Sequence, residues 1–187
     1  MEGASFSLIV KDVHNGETVF AYDTLRQLTP ASVMKTVTTA TALEILGEDY
    51  RFPTTLAYDG SIEKGLLKGN LYIKGSGDPS LGSAHFAPYH KRFLQEWISA
   101  LKKVGIHKIQ GAVIADESIF DTEGTSFKWV GEDMGSYYGA GSYGLCVFDN
   151  LYKLGLQTGA PGSRPKLKGT EPELSGIHFH NYLTAQQ

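Results

Sequence analysis

A single cysteine, Cys146, stands in the 187 residues, so an internal disulfide framework is excluded and the residue suits an oxidising or a reducing compartment equally. It reads as a small core residue. Long hydrophobic runs are missing as well. Residues 8–10 and 112–115 are among the longest apolar stretches, far short of the roughly 18 to 20 residues that span a bilayer, so no transmembrane helix is expected. Excess positive charge is also lacking: 17 Lys and Arg against 20 Asp and Glu leave a net charge of -3, and the lysines are scattered. Without a basic field there is nothing to draw in phosphate backbones, which argues against nucleic acid as a partner. Met1-Glu2-Gly3 shows neither a basic n-region nor an apolar h-region, so a signal peptide is either absent or has been removed. There is no internal repeat or low-complexity tract, and only residues 158–169, with their Gly and Pro, read as a flexible connection.

The composition, 41% hydrophobic and 20% charged, is that of an ordinary globular chain of one domain or two small ones. Residues 5–11 alternate, with Phe6, Leu8 and Val10 on one face and Ser7, Ile9 and Lys11 on the other, which is the period of a strand. Asn15-Gly16 can take positive φ at both centres of a tight turn, and residues 18–22 return as a β-branched and aromatic partner, so the chain should open with an antiparallel hairpin. Thr29-Pro30 reads as an N-cap with proline at the first helical position, and Gly47 as the stop. Between them, residues 31–46 carry only Lys35 and Glu44 as charges, which predicts a helix buried on most sides.

From about Tyr58 the texture changes to short segments punctuated by Gly60, Gly65 and Gly69, then the turn-rich stretch Gly75 to Ser80, and a second structural unit is expected. Residues 93–104 have the spacing of an amphipathic helix, with Lys102 and Lys103 in its last turn before Gly105. Residues 108–115 follow as a strand. A helix between strands predicts a mixed fold, α/β or α+β, without giving the strand order.

Ser32-Val33-Met34-Lys35 is the segment with chemistry in it, because a spacing of three on a helix sets both side chains on one face. A serine hydroxyl needs a base, and a lysine amine serves when it is neutral. Ser32 is expected in the first helical turn, where unpaired N–H groups and the dipole favour developing negative charge. Alone, S-x-x-K is a common chance tetrapeptide. A hairpin followed by Pro30 at the start of an apolar helix, with the serine in its first turn, is the setting in which the motif works in penicillin-binding proteins and class A β-lactamases.

The stretch from Leu28 to Ala40, followed by Asp49-Tyr50-Arg51-Phe52, resembles the active-site helix of the D-alanyl-D-alanine carboxypeptidase/endopeptidase family typified by penicillin-binding protein 4. Residues 69–81, the segment from Gly111 to Asp116 leading to Phe120-Asp121, and Tyr137-Tyr138-Gly139-Ala140 are similar to that family in the same order. The resemblance runs from Ser5 to about Tyr182. It implies the N-terminal part of a penicillin-binding transpeptidase-like domain in residues 1–57, followed by an inserted α/β domain in residues 58–187. It implies a serine peptidase without cofactor, acting on peptidoglycan stem peptides through an acyl-enzyme on Ser32 with Lys35 as base. β-Lactams would acylate the same serine, in a periplasmic or extracellular location. By the same resemblance Asp133 and Tyr138 would hold the amino end of the substrate's side chain; the plainer reading is a solvated loop acid and a packed tyrosine.

Some family features are absent from these residues. Neither the S-x-N nor the K-T-G or K-S-G triplet occurs, Lys168-Gly169-Thr170 having the wrong order, and Ser142-Tyr143-Gly144-Leu145 replaces the usual Ser-Ala-Leu continuation. The expectation is therefore a fragment of a longer enzyme, inactive alone, with exposed apolar surface that favours association with another chain. The rival readings are another S-x-x-K hydrolase, esterase or β-lactamase, and a non-catalytic cell-wall-binding module. A metal site of His178 and His180 with His85 or His90 is the weaker explanation of the histidines, since no carboxylate or cysteine spacing supports it. Gly75-Ser76-Gly77-Asp78 lacks the pattern of a phosphate loop and reads as a glycine-rich turn.

Overall fold

Strands β1 (Leu8–Lys11) and β2 (Thr18–Tyr22) pair antiparallel in the computed structural model, with Leu8 opposite Tyr22 and Val10 opposite Phe20. The structure describes residues 3–86 and 92–186. Asn15-Gly16 does lie in the turn, but not as its two centres: Gly16 alone of the pair has positive φ, at 76°. The loop is longer, closed by the Asp12 N–H on the Glu17 carbonyl at 2.8 Å. Side chains hold it open, the Asp12 carboxylate accepting from the His14 N–H and the Asn15 amide oxygen accepting from the Glu17 N–H. These Asx contacts compete with the two-residue turn and win.

Helix α1 (Met34–Leu46) is entered through a 3-10 turn, Ala31–Val33, and closed by Gly47. Pro30, not Thr29, is the residue at the cap, and no side chain caps the turn. The helix also departs from the expected burial, since none of its residues is buried and Val37, Ile45 and Leu46 stand exposed. An α-helix apolar on all sides belongs in a core, and these residues do not supply one.

Residues 1–51 and 52–187 form two compact units. In the second, residues 55–74 make one long hairpin. Strands β3 (Thr55–Tyr58) and β4 (Ser61–Glu63) run out, Lys64-Gly65 turns with positive φ at both residues, and β5 (Leu66–Lys68) and β6 (Leu71–Lys74) return. β3 pairs with β6 and β4 with β5. Two further strands, β7 (Lys108–Gln110) and β8 (Val113–Asp116), add in parallel, β7 on β5 and β8 on β6.

The expected strand 108–115 is thus two strands in two small sheets, and the break has a cause. At Gly111 a Cβ would fall 2.2 Å from the Gly69 carbonyl oxygen, so the two chains come too close for a regular ladder. All three segments leave their strands at this level, where the Asp59 N–H still donates to the Asn70 carbonyl at 3.1 Å and the Leu71 N–H to the Ala112 carbonyl at 2.9 Å, and hydrogen bonds to side chains supply the rest. The Asp59 carboxylate accepts from the Asn70 N–H at 2.6 Å, the Asn70 amide at 3.1 Å and the Tyr72 hydroxyl at 2.8 Å. The Asn70 amide oxygen accepts the Ala112 N–H at 3.0 Å.

Helix α2 (Phe93–Lys103) ends at the two lysines that marked its last turn. Its Leu101 joins Ile62 and Ile109 against the buried cluster of Leu67, Leu71 and Ile106. The remaining strands, β9 (Lys153–Gln157) and β10 (Lys166–Glu171), form an antiparallel hairpin. The stretch read as a flexible connection, 158–169, is the connection within this hairpin over residues 158–165 and the start of β10. His178 and His180 lie after β10 in irregular chain. The architecture is mixed α+β, and no helix is long and apolar enough to cross a membrane among the described residues.

The hydrogen bonds from Asn70 and Tyr72 hold the Asp59 carboxyl below the ordinary carboxylate range, the Asn70 N–H being the largest cause. A depressed carboxyl contributes stability that is complete above its unfolded-state pKa and is lost as pH falls through the folded one. Asp59→Asn should accordingly lower the melting temperature at pH 7. The gap to wild type should close below about pH 4, where an unfolded aspartate protonates. Thermal melts of both proteins at pH 7 and pH 3 measure this, and a gap that persists unchanged at pH 3 would contradict it.

Candidate active site

Ser32 lies in the 3-10 turn and Lys35 is the second residue of α1. The spacing of three brings them together as the sequence requires, with the Lys35 ammonium donating to Ser32 Oγ at 2.9 Å. The same nitrogen, once neutral, is placed to take the hydroxyl proton, which is the geometry demanded of a nucleophile and its base. The expected supply of free N–H groups around Ser32 is smaller than the first turn of an α-helix would give. The Val33 N–H already donates to the Pro30 carbonyl at 3.0 Å, because the turn is 3-10.

One feature beside the pair had no sequence signal. Ala31, directly before the serine, takes φ of 44°. An L-residue in that left-handed region is strained by about 1–2 kcal/mol, and such outliers gather at functional sites. Alanine is an ordinary residue, so nothing in its identity announces the conformation.

Asp133 and Tyr138 come together in the second unit. Each ends or centres a 3-10 turn, Gly131–Asp133 and Tyr137–Gly139, and the Tyr138 hydroxyl donates to Asp133 Oδ1 at 2.9 Å. The two turns are linked through Ser136, whose N–H donates to the Asp133 carbonyl and whose carbonyl accepts the Gly139 N–H, both at 2.9 Å. Gly139 is buried, and a Cβ there would lie 1.9 Å from the Asp133 carbonyl oxygen. Tyr137 meets Tyr138 edge to face, ring centroids 5.3 Å apart. The result is a half-buried carboxylate steadied by a phenol, with no ion-pair partner among the described residues. That is a suitable receptor for an ammonium group.

Among the described residues, no group of three or more His, Cys, Asp or Glu is placed to hold a metal ion. His90, one of the histidines considered for such a site, lies outside the described residues.

Comparison with known proteins gives a consistent answer. The family model of the D-Ala-D-Ala carboxypeptidase 3 (S13) family matches residues 1–186. A D-alanyl-D-alanine carboxypeptidase of an Actinomadura species is 33% identical over 147 residues, which are 79% of this chain and 26% of that protein. The D-alanyl-D-alanine carboxypeptidase DacB of Haemophilus influenzae is 29% identical over 133 residues, 71% of this chain and 26% of that one. The crystal structure of penicillin binding protein 4 (dacB) from Haemophilus influenzae superposes with a TM-score of 0.72 at 28% identity, over 85% of this chain and 34% of that one. A complex of the same protein with a β-lactam gives 0.64 at 26% identity, over 89% and 32%. The chain therefore spans about a quarter of the length of these curated relatives and a third of the solved chains.

The turn that carries Asp133 and Tyr138 can be tested by itself. Gly139→Ala forces a Cβ onto a carbonyl and should destabilise the second unit by about 1–3 kcal/mol, the usual penalty of overpacking. Tyr138→Phe removes one exposed hydrogen bond and should change stability by less than about 1 kcal/mol. Urea unfolding of the two variants gives the comparison; a larger loss for Tyr138→Phe than for Gly139→Ala would show that the phenol, not the close approach, holds the turn.

Proposed function

The chain belongs to the D-Ala-D-Ala carboxypeptidase 3 (S13) family, and from that premise we propose that it carries the nucleophile and base of a serine DD-peptidase acting on peptidoglycan stem peptides. The observation that carries this reading is the 2.9 Å contact between Lys35 Nζ and Ser32 Oγ at the head of α1. Neutral Lys35 takes the Ser32 proton while Oγ attacks the carbonyl carbon of the penultimate D-alanine. The tetrahedral adduct then expels terminal D-alanine, whose amine leaves with a proton, and an ester on Ser32 remains. Water attacks that ester, loses its proton to the base, and frees the shortened peptide and the serine. A β-lactam carbonyl is an acyl donor of the same kind. The amide to a diamino acid in a crosslink would be another, so carboxypeptidase and endopeptidase action share this chemistry.

The reading extends to the architecture. Residues 1–57 would open a transpeptidase-like domain, and residues 58–187 would belong to a domain inserted into it. Support comes from helix α1, whose apolar residues stand exposed on every side. Such a helix finishes its packing only against further elements, which the relatives, about two and a half to three times as long, have room to supply. The substrate's terminal carboxylate also needs cationic and hydroxyl partners. The S-x-N and K-T-G triplets that provide them in the family do not occur in these 187 residues. Asp133, steadied by Tyr138, would receive the ammonium group of the substrate's diamino acid. Peptidoglycan as substrate puts the site of action outside the cytoplasmic membrane, periplasmic or extracellular.

Fluorescent penicillin offers the direct test. A longer form of the protein that includes both triplets should take a covalent label that Ser32→Ala abolishes, and Lys35→Met should slow labelling by about 10²–10⁴-fold, the usual contribution of a general base. The 187 residues alone should label more slowly by about 10²-fold or more, since the cationic and hydroxyl partners of the penicillin carboxylate are wanting. Well-folded long protein that takes no label would overturn the enzyme reading in favour of a binding module, and rapid loss of label would mark a β-lactamase.

The Asp133 assignment makes a separate demand. In the longer form, Asp133→Ala should raise KM for a peptide with a free diamino-acid amine by about tenfold or more, as expected for loss of a charged hydrogen bond, with kcat little changed. A truncated peptide without that amine should be unaffected. Equal effects on the two substrates would reject the role.

A further inference from the structure

A cleft in the second unit, lined in part by Tyr137, offers a binding place that does not depend on the peptidase reading. Its volume is about 250 Å³, the size of a single amino-acid side chain with its backbone. Three aromatic rings wall it, those of Phe120, Tyr137 and Tyr143. Two of these are seated directly on backbone. The Phe120 ring lies where a Cβ on Gly77 would be, 2.7 Å away, and the Tyr143 ring does the same at Gly124, 2.4 Å away. Rings packed on glycine have no side chain beneath them to yield, so the walls are set in advance of any ligand.

Asp149 is the single charged side chain among the described residues lining the cleft. It is half-buried, and it has no hydrogen-bond or ion-pair partner among the described residues. Its position is held at some expense: Phe148, Asp149 and Asn150 all adopt left-handed backbone, with φ of 55°, 58° and 54°. Asp and Asn tolerate that region, whereas for phenylalanine it is strained. The Asn150 amide is already committed to the Gly141 carbonyl at 3.3 Å. An anion would meet Asp149 with no cation to offset it. A sugar would find the Tyr137, Tyr143 and Ser142 hydroxyls but would leave the Asp149 charge unmatched, and it is the rival that the test separates. A cation finds a carboxylate and ring faces together.

We propose that this cleft binds a primary ammonium group on a short alkyl stem, as in a lysine-like side chain of a peptide, with Asp149 on the charge and the three rings around the methylenes. Asp133 and Tyr138 are not among its lining residues, whereas Tyr137, which meets Tyr138 edge to face, is.

Cys146 lines the same cleft and is the chain's only thiol, so its alkylation reports on occupancy at one place. The experiment measures the rate of Cys146 alkylation by iodoacetamide in the 187-residue chain, with N-acetyl-lysine amide, N-acetyl-norleucine amide or N-acetylglucosamine added over a range of concentrations. N-acetyl-lysine amide should slow the reaction in a saturable way, and its uncharged isostere should not. Asp149→Asn keeps a residue that accepts left-handed backbone and should weaken protection by about tenfold or more. Tyr137→Leu, at an exposed position, should weaken it by about two- to fivefold, while Tyr137→Phe retains the ring face and should not. The proposal is overturned by equal protection from norleucine amide, by protection from the sugar alone, by no protection from any of them, or by protection that survives Asp149→Asn. If Asp149→Asn alters the alkylation rate without ligand, the two Tyr137 variants decide, and identical protection in both sinks the idea.

Discussion

The Asp59 carboxylate holds the larger unit together at its weakest level. Three strands break side by side there, where Gly69 and Gly111 approach closely, and the Asn70 and Ala112 N–H groups are satisfied by side chains and not by a ladder. Asp59 accepts from Asn70 twice and from Tyr72 once, and Asn70 passes the connection on to Ala112. The stitch sits at the surface, so its strength comes from short charge-assisted hydrogen bonds and not from burial. The buried cluster of Leu67, Leu71 and Ile106 straddles this level and draws on both small sheets, so it depends on their staying in register.

The smaller unit is arranged in the opposite way. Its polar contact, Lys35 on Ser32, is complete, while its apolar surface is not covered. Local sequence suffices for the first, because a spacing of three in helical chain sets the pair without help from elsewhere. The second is a matter of layers, and a hairpin with one helix cannot enclose a helix that is apolar all round. The nucleophile's geometry is therefore a property of a few residues, and its environment is a property of a larger assembly of chain.

What was legible in the sequence follows the same divide. The ends of α1 and α2 were readable from Gly47 and from Lys102-Lys103 because caps and terminal charges act over one turn. The mixed α+β class was readable from periodicity. The split of residues 108–115 into β7 and β8 was hidden, since it is imposed by Gly69, some forty residues earlier in the chain. The connection at 158–165 was legible from its Gly and Pro, but not the start of β10 at Lys166, because the same residues mark a loop without marking where the next strand begins. Asn15-Gly16 was a fair turn signal, but the Asp12 and Asn15 side chains chose a longer turn. Asp133 and Tyr138 were five residues apart and reachable by resemblance. The cleft at Asp149 was not, because its walls come from Gly77, Phe120, Tyr137 and Tyr143, which no local pattern connects.

The parallel pairing of β5–β6 with β7–β8 also sets the order in which the larger unit can be assembled. The hairpin of residues 55–74 closes across two residues, Lys64 and Gly65, and hairpins of this kind form within about 1–10 μs. The Asn70–Ala112 contact joins residues 42 apart in the chain, with α2 and the turn-rich stretch between them. Loop-closure entropy must be met before that contact returns anything, which places the third strand late and slow. Until it docks, β5 and β6 present an unpaired edge on one side of a finished hairpin. A nascent chain thus has an interval in which β5 and β6, with Leu66, Leu67 and Leu71, can pair with a neighbouring chain instead of with its own residues 108–116.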